Sequence, residues 1–131
     1  MIHYENPVVR IHWDSEIHGV WAEWLRFAAN NDFREPLMEG YNLLVEKRSK
    51  RWIADTRSLG PMTPEDQDWL NSFWFPQMIK GGLRAMAIMV PRKVVTQLSV
   101  KRVMSKIDGK DLATSYFDDL EDARRWLKTR T

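Results

Sequence analysis

Residues 84 to 90, RAMAIMV, form a near-continuous apolar run that ends at Pro91. A strand with one face in water alternates apolar and polar side chains, whereas a strand covered on both faces has no reason to alternate. The run therefore reads as the central strand of a sheet with layers packed on both sides. Gly81 and Gly82 stand just before it and close the helix that precedes it. A chain with such a strand must also supply the helices that cover it, and helical spacing occurs both before and after this run.

The stretch 51 to 74, RWIADTRSLGPMTPEDQDWLNSFW, places the elements before it. Trp52, Ile53 and Ala54 are too short an apolar run for a helix and read as a buried strand. Ser58, Leu59, Gly60 and Pro61 continue neither regular period, so the chain turns there. Thr63 precedes Pro64, Glu65 and Asp66, which places a capping hydroxyl, a proline and two acids at a helix start. That helix carries Trp69, Leu70, Phe73 and Trp74 at helical spacing. Pro76 removes a hydrogen-bond donor, so a kink or an end is expected near Phe75, swinging Phe75 and Met78 off the face of the first half.

Upstream, VVRIHW alternates over 8 to 13 so that Val9, Ile11 and Trp13 share a face. A turn through Asp14, Ser15 and Glu16 to Gly19 joins this strand to VWAEWLRF over 20 to 27, and the two form a hairpin. Asn30, Asn31 and Asp32 begin a helix on which Phe33, Leu37, Tyr41, Leu44 and Val45 recur every three or four residues. It ends in Lys47, Arg48, Lys50 and Arg51, charges that suit a helix carboxyl end and could also meet an anionic partner. Downstream, Val94, Leu98, Val100, Val103, Met104 and Ile107 give an imperfect helical pattern, and Lys93, Lys101, Arg102, Lys106 and Lys110 make this the most basic part of the chain. ATSYF over 113 to 117 is a last strand. Asp118, with Glu121 three residues on, caps a final helix that faces inward with Leu120, Ala123, Trp126 and Leu127.

The expected fold is a single α/β domain over 1 to 131, with a mixed sheet of about five strands and about four helices. Twenty Lys and Arg against 18 Asp and Glu give a formal charge of +2, too small an excess to argue for nucleic acid. With no cysteine there is no thiolate zinc site and no cysteine nucleophile. His12 and His18 have no third ligand at metal spacing, so no metal and no cofactor are expected. No run is long enough to span a bilayer and the start lacks a signal-peptide core, so a cytoplasmic protein without membrane insertion is expected. No nucleophile elbow or phosphate loop is visible, and Asp55, Glu65, Asp66 and Asp68 are accounted for by capping and solvation, which points away from an enzyme.

The element order, the segment WIADTRSLGPMTPEDQDW and the closing YFDDLEDARRWL resemble the SpoIIAA-like group of STAS domains, which share their architecture with CRAL-TRIO lipid-transfer domains. The resemblance spans about Val8 to Leu127 and implies a non-enzymatic regulatory or protein-interaction module. In phosphorylated members an acid ends the strand and a serine or threonine at the next helix start is the switch. Asp55 and Thr63 come closest to these positions, although the family's aspartate-serine-small-glycine stretch is not matched. Asp55, Arg57, Ser58 and Thr63 are thus the expected interaction or switch surface, facing an unknown protein partner, with self-association as a homodimer through an aromatic face. The alternative is an apolar small-molecule or lipid site in which Trp69, Phe73, Trp74, Phe75 and Met78 line a pocket between helix and sheet.

Overall fold

The computed structural model describes residues 1 to 130. Among them one sheet holds six strands in the order β1-β2-β3-β4-β5-β6, namely β1 (Ile2–Asn6), β2 (Val9–Asp14), β3 (Gly19–Trp24), β4 (Arg51–Asp55), β5 (Ala85–Met89) and β6 (Ala113–Phe117). The first three form an antiparallel meander, and β3 through β6 run parallel. Each parallel step crosses through helix: α1 (Asn31–Glu46), then α2 (Pro64–Trp69) continuing through a π segment (Leu70–Trp74) into α3 (Phe75–Lys80), then α4 (Val94–Met104). Strands added in one direction by crossovers of one hand put all three connections on the same face. The last helix, α5 (Leu120–Lys128), closes the other face.

The period-two alternation of the strands divides the core accordingly. Val9, Ile11, Val20, Ala22, Trp24, Trp52, Met86 and Ile88 pack with the crossover helices, while Ile53, Ala85, Ala87 and Met89 pack with Ala123 and Leu127 of α5. All five residues of β5 are buried, so this strand is covered on both faces.

The mixed α/β sheet agrees with the expected fold, and three local details differ. A sixth strand, β1, borders β2, and its IHYEN has no buried residue. Such an edge strand is held by backbone pairing, with Trp13 and Met1 bonded at their main chains, and so leaves no apolar alternation to read. Pro76 does not end its helix. The Phe75 N–H donates to the Leu70 carbonyl, one residue further back than in an α-helix, and this wider turn takes up the irregularity. Phe75 and Met78 consequently stay in the core. Asp119, not Asp118, caps α5, accepting from the N–H groups of Glu121 at 2.7 Å and Asp122 at 3.2 Å.

Candidate functional site

The carboxyl ends of β4 and β5 present two neighbouring loops and the start of α4. Asp55 ends β4 on the α5 side of the sheet and is 2 % exposed. Its Oδ2 accepts from Arg57 Nη2 at 2.7 Å and Trp21 Nε1 at 3.1 Å, and its Oδ1 accepts from Arg57 Nε at 2.9 Å. These hydrogen bonds to Asp55 hold the Arg57 guanidinium above its ordinary range against the opposing pull of burial. A buried carboxylate bound by a guanidinium fork and an indole is held in a fixed orientation. Its effect is to orient Arg57, which stays partly exposed.

Ser58 follows on the exposed tip of this loop, where its hydroxyl accepts from Arg92 Nη1 at 2.9 Å, and the Arg92 N–H donates to the Arg57 carbonyl at 3.2 Å. The loops after β4 and β5 are therefore joined side by side. Beneath them three hydroxyls act as internal ties: Thr56 donates to the Met89 carbonyl, Thr96 donates to the Leu59 carbonyl, and Ser99 accepts from the Met62 N–H.

Thr63 belongs to a different environment. Its hydroxyl accepts from the Asp66 N–H at 3.1 Å as the cap of α2. Asp66 is not a solvated capping acid, because its side chain is fully buried and accepts from Arg34 Nε at 2.8 Å and from the Asn30 N–H at 3.0 Å. The structure thus groups Arg57 and Ser58 at one surface with Asp55 behind them, and ties Thr63 into the contact between α2 and α1.

The polarity of α4 is inverted over its first two turns. Thr96 and Ser99 point inward with Val100 and Val103, while Val94, Val95 and Leu98 are 69 %, 58 % and 52 % exposed. The helical pattern joined Val94 and Leu98 to the inward valines. Tertiary ties turn them out, because Thr96 and Ser99 satisfy the backbone of the loop after β4 and so select the buried side. Arg92 and Lys93 precede these aliphatic groups, Lys101 and Arg102 follow Leu98 by one helical turn, and none of the four pairs with a carboxylate among the described residues. The sequence held two signals of this surface: buried-type spacing of Thr96 and Ser99, and a stretch from Trp69 to Ile107 with seven Lys and Arg and no Asp or Glu. Beside it, Val90, Pro91, Gln97, Val100, Lys101 and Tyr116 line a shallow cleft of about 230 Å³, and burial there raises the Tyr116 phenol above its ordinary range.

Of the five residues expected to line an apolar pocket, two line one cavity. A cavity of about 60 Å³ lies between the sheet and the crossover helices, lined by Trp74 and Phe75 together with Trp24, Trp52, Met62 and Val103 among others. Met78 is packed away in the core, Trp69 lies under Arg34 at 5.5 Å, and Phe73 is 40 % exposed. A dry cavity that holds benzene measures about 150 Å³, so this one admits no lipid chain as it stands.

His12 and His18 are engaged separately. His12 stacks on Trp21 at 4.1 Å and its Nε2 lies 2.8 Å from Glu23 Oε1, while His18 Nε2 meets the Lys47 carbonyl at 3.1 Å. No family model, no curated protein and no solved structure matches this chain.

Proposed function

We propose that the chain is a non-enzymatic protein-interaction module of regulatory type, resembling the STAS group. Its docking surface is built from Arg57, Ser58 and Arg92 together with Val94, Val95 and Leu98. The partner presents an apolar ridge bordered by carboxylates. The observation that carries this reading is the inverted first half of α4, which exposes three aliphatic side chains on a stretch flanked by cations that meet no carboxylate among the described residues. Grouped exposed aliphatics mark contact surfaces more often than scattered ones do, and the cations set the sign of the partner. Asp55 supports this surface from below by fixing Arg57, and needs no reaction to account for its burial.

A photoreactive side chain placed at position 95 tests the proposal in cell extract, with the same group at Arg125 on the α5 side as control. The expected result is a discrete adduct from position 95 only, with a protein whose cross-linked segment is acidic and apolar. Lys101→Glu with Arg102→Glu should weaken it about tenfold while leaving the melting temperature within a few degrees. Equal adducts at both positions, an adduct indifferent to charge reversal, or an adduct made only with a second copy of the chain would overturn it.

The apolar-ligand alternative is favoured by one observation, the apolar cavity beside the π segment. It requires that segment to move outward, and saturable quenching of tryptophan emission by a small apolar molecule would support it.

A further inference from the structure

At the opposite edge of the sheet, where the parallel strands begin, a cleft of about 260 Å³ is lined by His18, Arg48, Lys50, Arg51 and Arg130. His18 comes from the β2–β3 turn, Arg48 and Lys50 from the α1–β4 connection, Arg51 from the start of β4 and Arg130 from just past α5, and the fold brings His18 and Arg130 to the basic cluster that the sequence already groups. We propose that this cleft binds a small anion carrying two or more phosphate groups.

Among the described residues no carboxylate neutralises these charges. Arg51 is held by carbonyl oxygens, with Nη1 donating to Ile17 at 2.8 Å and Nε and Nη2 donating to Arg130 at 3.1 and 2.6 Å. Among the described residues none of the four cations pairs with a carboxylate, and Glu16, on the same turn as His18, is taken by Lys128 at 3.4 Å. The plain structural account is that α1 and α5 both end here and their carboxyl ends attract positive charge. Two such ends amount to about one negative charge together. Four cations exceed that.

The backbone is a second, independent sign. His18 at φ 49° and Arg48 at φ 53° lie in the left-handed region, and these are two of the three non-glycine residues there among the described residues. Arg48 occupies the position just past α1, between the Lys47 N–H bonded to Leu43 and the Ser49 N–H bonded to Leu44. Glycine is the favoured residue at that place, and a long side chain kept there against preference points to a use for the side chain. Guanidinium groups offer paired donors matched to phosphate oxygens, and the cleft is wider than one tetrahedral anion needs.

Titration calorimetry with inorganic pyrophosphate, with sulfate as control, tests this directly on the whole chain. Saturable one-site binding of pyrophosphate is expected, weaker for sulfate, and reduced about tenfold or more by Lys50→Ala and by Arg48→Gly. Arg48→Gly should melt at or above the wild-type temperature, because glycine enters the left-handed region freely, so lost binding in that variant is not lost folding. Sedimentation with phosphatidylcholine vesicles, with and without a bisphosphorylated inositol lipid, identifies the source. Retention that pyrophosphate competes away assigns the site to a lipid headgroup, and pyrophosphate binding without retention assigns it to a free phosphate ester. Absence of pyrophosphate binding at low salt, equal binding of sulfate, or affinity indifferent to both variants overturns the site.

Discussion

Asp66 shows how far one side chain can differ from its local reading. By position it is a first-turn acid of α2, the kind that sits in water and favours the helix dipole. In the fold its carboxylate is fully buried and joins α2 to the start of α1 through Arg34 and the Asn30 N–H. The two halves of this pair are unequal, because the Arg34 side chain is 33 % exposed. Removing the acid leaves a cation that water can reach, whereas removing the cation leaves a buried anion with the Asn30 N–H as its remaining hydrogen-bond donor among the described residues. Asp66→Asn is therefore expected to cost about 2 kcal/mol and Arg34→Ala about 3 kcal/mol or more, measured by urea denaturation. The reverse order would show that the buried carboxylate does not depend on its guanidinium. Ser58 and Arg57 lie at the other extreme, being legible as loop residues but not as neighbours of Arg92, since that contact spans two separate crossovers.

Among the elements, α1 and β4 meet most closely where Gly40 passes over Trp52. An exposed glycine within a helix weakens it by about 1 kcal/mol relative to alanine, so substitution would ordinarily stabilise α1. Here a Cβ at Gly40 would lie 2.9 Å from Trp52 Cζ3, and that indole is wedged against Trp74 with centroids 5.1 Å apart. Gly40→Ala is expected to destabilise by about 1 to 3 kcal/mol through overpacking, visible as a lower thermal midpoint; a raised midpoint would show that the indole yields. The same scale explains the two helices whose faces differ from expectation. The π segment before Pro76 accommodates the proline by a wider turn, and Phe75 and Met78 stay buried. In α4 the hydroxyls of Thr96 and Ser99 find partners in the loop after β4, which outweighs burying Val94 or Leu98.

For the molecule as a whole, the sheet grades from a strand covered on both faces, β5, to an edge strand without a buried residue, β1. Every residue of β5 is buried, whereas β1 has none. Native-state hydrogen exchange should accordingly release β5 and β4 amides only through global unfolding and β1 amides through local fraying, with protection differing by orders of magnitude. Equal protection would mean that β1 is part of the cooperative core. The α/β class, the hairpin, the capped start of α2 and the central strand were determined by the chain alone, because periodicity, proline and glycine act over a few residues. The edge strand, the outward turn of Val94, Val95 and Leu98, the separation of Thr63 from Ser58, and the meeting of Arg48 with Arg130 were decided only by tertiary structure. Each depends on which distant backbone groups need partners and on which faces the crossovers bring together, and neither leaves a local period in the sequence.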